Sequence, residues 1–308
     1  MNPRQSIPKQ LRYTREQFDK EFPNDDVCLE TVKEQRFPGG VKFCATCQKE
    51  RKHYRVKGRT AYACDRCGNH IYPLAGTIFE KSSTSLRIWF QAMYLMGSTR
   101  CGISAKQIQR ETGVTYKTAW RMFKQIRSLL DEDQPLGGSN IEMDETWVGG
   151  KEKHSTIGDT KKACVVGMVE RKGRVRCVIA DEATRIVLHG IAKEYILPKS
   201  TVFTDDAAAY YGFEKHYDHK RINHSQEIYV MGDVHTQTIE GFWSLVKRGI
   251  GGVYHSVSKK YLQTYLNEYS FRYNRRASGN LVFLSMLERV GEMASRKPAS
   301  EVRRNLTL

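Results

Sequence analysis

The second half of the chain alternates between strand-like and helix-like hydrophobic patterns. Three short apolar runs occupy residues 141–148, 163–170 and 174–180, and a fourth run ends at Asp205. Runs of this length, bounded by polar loops or a turn, predict β-strands. Because the first three follow one another closely, we expect them to form an antiparallel meander. The fourth strand is expected to pair in parallel, which would bring Asp144 beside Asp205.

Helical periodicity lies between and after these strands. Residues 189–195 are predicted to form a helix, and so are residues 236–248, where four large apolar side chains recur at helical spacing. The glycine-rich run 249–252 is expected to end the second helix. A further basic helix is predicted over 258–276. Strands that alternate with helices in this way predict an α/β core, with a mixed sheet flanked by helices.

The segment 84–130 is also helical in its periodicity, and it ends in a helix-turn-helix pattern. Residues 104–111, a turn that contains Gly113, and residues 115–130 reproduce a helix, a tight turn and a longer helix. Thr115 has the side chain of an N-cap residue. The longer helix would present basic side chains to a DNA groove, namely Lys117, Arg121 and Lys124. A helical hairpin that only connects two domains would have the same pattern and stays an alternative.

Two Cys-x₂-Cys pairs indicate a metal site in the first half of the chain. Cys44 pairs with Cys47 and Cys64 pairs with Cys67, with residues 48–63 between the pairs. This spacing is typical of a zinc ribbon, in which four thiolates surround a structural Zn²⁺. Disulfide pairing is the alternative, but the length of the chain and a reducing compartment argue against it. The other four cysteines are isolated and are predicted to be small buried side chains.

The charge of the chain favours a polyanionic partner. The 308 residues include 50 Lys and Arg against 34 Asp and Glu, which gives a formal net charge of +16. A membrane surface is the competing polyanion, but the mean hydropathy is −0.57 and no apolar stretch approaches the ~20 residues that span a bilayer. The first eight residues lack the apolar segment of a signal peptide. We therefore expect a cytoplasmic, nucleoid-associated protein.

Three acidic residues occupy positions that suit a catalytic metal site. Asp144 lies within the first predicted strand, Asp205 ends the fourth, and Glu240 lies on the helix over 236–248. Lys247 follows Glu240 by two helical turns on the same face. Carboxylates are the ligands that Mg²⁺ and Mn²⁺ prefer, and two such ions can clamp the oxygens of a phosphodiester. The neighbouring Glu145 is expected to point to the opposite face of its strand.

Three sequence blocks resemble the ISXO-like transposases of bacterial insertion sequences. These blocks are residues 142–150, which contain Asp144, residues 204–206, which contain Asp205, and residues 235–249, which contain Glu240 and Lys247. The resemblance continues through residues 272–276 and covers most of the chain from about residue 40.

The resemblance implies a ribonuclease-H-like core that cuts and rejoins DNA through Asp, Asp and then Glu or Asn, followed by Lys. Asp144, Asp205 and Glu240 would hold Mg²⁺ or Mn²⁺, and Lys247 would complete the catalytic set. Many relatives have His-Thr-Asn where this chain has His235, Thr236 and Gln237. The third metal ligand is therefore an open question between Glu240 and position 237.

The implied partner is double-stranded DNA, both the terminal inverted repeats of an element and its target. Lys247 and Arg248 are expected to bind phosphates near the cut, and Trp243 either stacks on a terminal base or packs in the core. A homodimer or a larger assembly is expected because two element ends must be handled together. The predicted order is an N-terminal arm (1–27), a zinc ribbon (28–80), a helix-turn-helix domain (81–133) and the catalytic domain (134–308).

Two other classes of function fit parts of the sequence. A non-catalytic DNA-binding regulator would use the ribbon and the helix-turn-helix without cleavage. A metal-dependent nuclease or resolvase would cut without joining. The acidic trio disfavours the regulator, since a pure binder of polyanions has no use for converging carboxylates. Two DNA-recognition modules disfavour a plain nuclease, which leaves the transposase as the favoured function.

Overall fold

The chain is arranged as two compact units. The computed structural model describes residues 8–99, 101–137, 140–149, 162–222 and 237–293. Within these ranges, one unit is formed by residues 8–99, 105–129 and 278–293, and the other by residues 101–104 and 130–277. Units defined by contacts in space do not test the predicted domain boundaries, which stay predictions. Within the described residues, every helix is too short or too polar to cross a membrane.

The first unit begins with two helices and two small antiparallel sheets. The helices are α1 (Arg15–Glu21) and α2 (Asp25–Arg36). Both have side-chain N-caps: Thr14 accepts from the Gln17 amide, and Asn24 accepts from the Val27 amide. One sheet pairs β1 (Phe43–Cys44) with β2 (Lys49–Glu50), and the other has the order β3 (His53–Arg55), β4 (Tyr62–Cys64) and β5 (His70–Ile71).

Four further helices complete the first unit. They are α3 (Leu86–Ser98), α4 (Ala105–Thr112), α5 (Tyr116–Ser128) and α9 (Val282–Met293). The α9 helix was not predicted from the sequence. It packs against α2 and α3 and places Phe283 in an aromatic cluster with Phe18, Phe22 and Phe90. Aromatic side chains bury large apolar areas, so this cluster contributes much of the unit's hydrophobic stabilisation.

The helix, turn and helix predicted before residue 130 are present. α4 and α5 lie within one or two residues of the predicted bounds, and Gly113 has φ +72 in the turn between them. Thr115 is the N-cap of α5, because its side chain accepts a hydrogen bond from the backbone amide of Thr118 at 3.2 Å. Ile108 of α4 and Phe123 of α5 are buried.

The second unit is built on a five-stranded mixed sheet. Its order is β10 (Asp218–Ile222), β9 (Thr201–Asp205), β6 (Ile141–Val148), β7 (Ala163–Glu170) and β8 (Val175–Ala180). Strands β6, β7 and β8 form an antiparallel meander, whereas β9 pairs in parallel with both β6 and β10. The predicted meander and the predicted parallel pairing are both confirmed.

Helices cover both faces of this sheet. On one face, α6 (Arg185–Tyr195) packs on a core that includes Ile141 and Met143. On the other, α7 (Gln237–Gly249) and α8 (Lys259–Asn274) pack on a core that includes Val165 and Cys177. The α6 helix begins four residues before the predicted 189, since Arg185, Ile186 and Val187 already follow its helical path.

The α-helix α7 ends at Gly249, within the glycine-rich run 249–252 that was predicted to end it. Gly249 has α-helical φ and ψ of −70° and −45°, and the helical path continues as a π-helical turn over Ile250–Tyr254. A side chain at Gly249 would overlap the hydroxyl group of Tyr269. Glycine is therefore needed at this position because α8 approaches closely.

Candidate functional site

The four predicted zinc ligands converge in the first unit. The Sγ atoms of Cys44 and Cys67 lie 3.5 Å apart, and those of Cys47 and Cys64 lie 3.9 Å apart. All four lie within 4.8 Å of one another. Tetrahedral thiolates at a Zn–S distance of about 2.3 Å are separated by about 3.8 Å, so the sulfur atoms fit a zinc ion.

Two matching knuckles produce this arrangement. The residue after each Cys-x₂-Cys pair has a left-handed backbone, with φ +53 at Gln48 and +70 at Gly68. In each knuckle that residue's amide donates to the carbonyl oxygen of the first cysteine, at 2.9 Å to Cys44 and 3.1 Å to Cys64. The backbone amide of Cys47 also donates to the sulfur of Cys44 and lowers the pKa of that thiol to about 6.

Asp144 and Asp205 lie side by side on neighbouring parallel strands. Strands β6 and β9 pair in a register that sets Glu142 opposite Phe203. Two residues further along this register, Asp144 stands beside Asp205, just beyond the last paired residues. Side chains that match in a parallel register point to the same face of the sheet. The parallel pairing therefore turns two residues separated by sixty positions into neighbours.

The face that carries Asp144 is covered by α7, and Trp243 of this helix bonds to Asp144. Nε1 of Trp243 donates a hydrogen bond of 2.9 Å to Oδ2 of Asp144. Gly167 of β7 is the antiparallel partner of Asp144, and the indole ring lies directly over it. A Cβ atom at Gly167 would lie 2.5 Å from Cζ2 of Trp243. Glycine at position 167 therefore gives the indole the space that it needs to reach Asp144.

The Trp243 side chain that bonds to Asp144 lies in the core. Its side chain is only 4% exposed. An indole buried against the sheet has no free face on which a DNA base can stack. Of the two alternatives for Trp243, core packing agrees with its burial and stacking on a DNA base does not.

Glu240 and Lys247 lie on exposed positions of α7. Burial raises the pKa of Asp144, the Trp243 hydrogen bond opposes this, and the charges of Asp205 and Glu240 raise it further. Glu240 is therefore within electrostatic range of Asp144. Lys247 and its neighbour Arg248 are exposed in the last turn of the helix. Gln237 is the first residue of α7, whereas His235 lies outside the described residues.

The three carboxylates are spread more widely than the ligands of one ion. Among the described residues, the four cysteines form a group of possible metal ligands whose atoms all lie within 4.8 Å of one another. The three carboxylates do not form such a group. Burial is the main cause of the raised pKa of Asp144, and the charges of Asp205 and Glu240 add to it, a repulsion that a cation would relieve. Paired ions in two-metal sites lie about 3.5–4 Å apart, so a wider set of ligands is compatible with such a site.

Two acids beside Asp144, the buried Glu142 and the half-buried Glu145, were not identified as functional from the sequence. Glu142 is fully buried and accepts hydrogen bonds from the first amides of α7 and from Arg171. Glu145 points to the opposite face, as predicted, and accepts from the hydroxyl of Tyr210. An acid that alternates with Ile141 and Met143 in an apolar strand was the available signal, because a buried charge requires a partner.

The predicted DNA-binding residues of α5 are all solvent-exposed. Lys117, Arg121 and Lys124 follow one another at helical spacing on the face opposite the buried Met122 and Phe123. Two aromatic side chains of the ribbon differ in their exposure to solvent. Tyr54 is 60% exposed, whereas Tyr62 is buried and bonds to Glu30 of α2.

The geometry defines a class of protein in which a zinc-ribbon cysteine cluster precedes an α/β sheet with a group of carboxylates on one face. Comparison with known proteins gives the family. Residues 135–274 match the ISXO2-like transposase domain, and residues 23–70 match the transposase zinc-ribbon domain. Together these two matches cover more than half of the chain. The protein belongs to the ISXO2-like transposase family.

A related protein is found in an archaeal mobile element. The chain is 28% identical over 276 residues to an uncharacterized protein in transposable element ISH50 of Halobacterium salinarum. The similarity covers 82% of this chain and 92% of that protein.

Proposed function

We propose that the protein is a DNA transposase of a bacterial insertion sequence. It binds the terminal inverted repeats of its element and catalyses metal-dependent hydrolysis and strand transfer on double-stranded DNA in the cytoplasm. The observation that carries the proposal is the parallel register that sets Asp144 beside Asp205, with Glu240 of α7 on the same face. Membership of the transposase family supports it. We assign the mixed sheet to a ribonuclease-H-like core.

Asp144, Asp205 and Glu240 would hold Mg²⁺ or Mn²⁺. Hard oxygen ligands and mutual repulsion both favour a divalent cation at this place. Bound there, the metal would lower the pKa of a water molecule and stabilise negative charge on the phosphodiester oxygens. The Trp243 hydrogen bond holds one oxygen of Asp144 in a fixed direction. It also opposes the rise in the pKa of Asp144 that burial causes.

The basic side chains near this face would bind the DNA backbone. Lys247 lies two turns beyond Glu240, and Arg248 follows it, so both would reach phosphates close to the scissile bond. We assign α4 and α5 to a helix-turn-helix in which Lys117, Arg121 and Lys124 contact the element end. The zinc ion in the ribbon would be structural, because four thiolates leave no open position for chemistry.

The reaction has two phosphoryl-transfer steps. In the first, water attacks the phosphodiester at the element end and the 3′ oxygen leaves as a 3′ hydroxyl group. In the second, that hydroxyl attacks a target phosphodiester, a new P–O bond forms, and the target 3′ oxygen leaves. The number of phosphodiester bonds is conserved in the second step, so no further cofactor is needed. Two ends must be joined to one target, which favours a homodimer or larger assembly.

The test uses labelled duplexes that carry the ends of the chain's own element, with Mg²⁺ and a supercoiled target. We expect the zinc-loaded protein to cut at the element end and to join that end to the target. Asp144→Asn should bind the duplex equally well and do neither, which also excludes a contaminating nuclease. Cutting without joining would indicate a nuclease or resolvase. Binding without cutting would indicate a regulator, and either result would contradict the proposal.

A further inference from the structure

One buried ion pair contacts all three elements that carry the proposed metal ligands. Glu142 lies on β6, two residues before Asp144 on the same face of the strand. Its carboxylate is completely buried, and its partner Arg171 is 12% exposed. Carboxylates are rarely buried unless a specific arrangement compensates for the loss of water. The contacts of this pair indicate what the arrangement does.

The first set of contacts fixes the start of α7. Oε2 of Glu142 accepts hydrogen bonds from the backbone amides of Thr238 and Ile239, both at 2.9 Å. These amides belong to the first turn of the helix and have no partner within it. A carboxylate at this end also interacts favourably with the helix dipole. Strand β6 is thereby joined to the helix that carries Glu240.

The second set of contacts reaches β9 through Arg171. Nε of Arg171 donates to Oε1 of Glu142 at 2.8 Å. The guanidinium carbon lies 4.0 Å from the ring centroid of Phe203, a cation–π distance. Phe203 is the register partner of Glu142 and precedes Asp205 by two residues. Strand β9 is therefore packed against the same buried pair.

We propose that Glu142, held by Arg171, is a positioning residue that sets the spacing of Asp144, Asp205 and the third ligand on α7. The inference rests on the proposed function. Glu142 is not itself a metal ligand, because its two oxygens already accept three hydrogen bonds. Gln237 and Glu240 both lie on α7, so the anchor positions the third ligand whichever of the two supplies it.

The variant Glu142→Gln tests the proposal with little change in volume. If its amide oxygen faces the α7 amides, its NH₂ group faces the Nε–H of Arg171, and two donors oppose each other. Arg171→Lys keeps the charge but removes the planar guanidinium, so it makes the same comparison if Glu142→Gln does not fold. Both variants are prepared as full-length, zinc-loaded protein.

The matched control is a second buried Glu–Arg pair in the same unit. Glu268 and Arg272 of α8 are 0% and 8% exposed and lie 2.7 Å apart. This pair lies on α8, which carries none of the three acids, and Glu268 also accepts a hydrogen bond from the hydroxyl group of Tyr254. Glu268→Gln therefore reproduces the damage of a broken buried ion pair, without displacing the carboxylates.

Two readouts separate positioning from general stability. Mn²⁺ binding is titrated calorimetrically without DNA, and the Asp144-dependent component is defined by Asp144→Asn. Hydrogen exchange is measured at the amides of Thr238 and Ile239. We expect Glu142→Gln to weaken Mn²⁺ binding by about 10- to 100-fold and to accelerate exchange at both amides. Cleavage by this variant should recover at high Mn²⁺ concentration. Glu268→Gln should change neither readout, even where its thermal midpoint falls equally.

The failure of the inference differs from the failure of the proposed function. If Glu142→Gln and Arg171→Lys bind Mn²⁺ as tightly as the wild type, while Asp144→Asn does not bind, then Glu142 is only structural and the metal site stands. If Glu268→Gln weakens Mn²⁺ binding as much as Glu142→Gln does, general destabilisation explains the effect and the inference is overturned. If the wild type has no Asp144-dependent binding, the metal site and the inference fail together.

Discussion

Replacing Gly167 by alanine should displace the indole that holds Asp144. The new Cβ atom would lie 2.5 Å from Cζ2 of Trp243 and 2.9 Å from Cδ1 of Ile239. Ordinary contacts begin near 3.4 Å, so the rigid indole must move by about 0.9 Å. Both neighbours belong to α7 and are buried, which leaves no space for an easy adjustment. The hydrogen bond from Trp243 to Asp144 is lost if the ring moves this far.

The expected change in the free energy of unfolding of Gly167→Ala is the sum of two opposing effects. Overpacking of a core typically costs about 1–3 kcal/mol. The replacement of glycine by alanine restricts the unfolded chain and returns up to about 1 kcal/mol. We therefore expect Gly167→Ala to lose about 1–2 kcal/mol in the free energy of unfolding. For a unit of this size, this corresponds to a decrease of about 2–8 °C in the thermal midpoint.

The assay is a double-mutant cycle measured by thermal unfolding and by cleavage of element-end DNA. Trp243→Phe removes the ring atoms that collide with the new Cβ, so Gly167→Ala should cost less in that background than in the wild type. Gly190→Ala is the control, because the space beside Gly190 on α6 is open. It should stabilise the protein by up to about 1 kcal/mol. Equal costs for Gly167→Ala in both backgrounds would refute the packing argument.

Three further predictions follow from the two metal sites and from α5. Burial raises the pKa of Asp144, so the folded state binds its proton more readily than the unfolded state, and stability falls as pH rises from the ordinary carboxyl pKa to the raised one. Asp144→Asn should therefore raise the thermal midpoint at pH 7 without Mg²⁺ while abolishing cleavage; a lower midpoint would contradict this. Phenanthroline should remove one zinc ion per chain, measured by elemental analysis, and unfold the ribbon; a ribbon that keeps its circular dichroism would argue against a structural ion. The double variant Lys117→Ala/Arg121→Ala should reduce the slope of log K against log salt by about 2 in DNA-binding titrations, whereas the exposed Lys20→Ala should leave it unchanged.

The hydrophobic pattern predicted the sheet because its signals are local. Apolar runs over 141–148 and 163–170 matched the observed strands, and two Cys-x₂-Cys pairs predicted the cluster of four sulfur atoms. The parallel pairing of β9 with β6 could be expected because strands separated by a helix commonly pair in this way. It is this pairing that brings Asp144 beside Asp205.

Features that depend on distant partners could not be predicted. The apolar strand around Glu142 indicates that this acid needs a partner, but the sequence does not identify its partners, because Arg171 and Thr238 lie 29 and 96 residues away. Gly249 could be predicted as the end of α7, but the sequence gives no sign that the close approach of Tyr269 from α8 requires glycine there. In both cases tertiary packing decides the role of the residue, and local propensity does not.

The most direct test of the central claim compares five variants in the cleavage and strand-transfer reaction. Asp144→Asn, Asp205→Asn and Glu240→Gln should each lose at least about 100-fold in cleavage rate while still binding element-end DNA. Asp206→Asn is the matched control, since this exposed neighbour of Asp205 pairs with Arg221 and should keep full activity. If Glu240→Gln stays active and Gln237→Ala loses activity, the third ligand is at position 237. If Asp144→Asn or Asp205→Asn cuts as fast as the wild type, the proposed carboxylate site is contradicted.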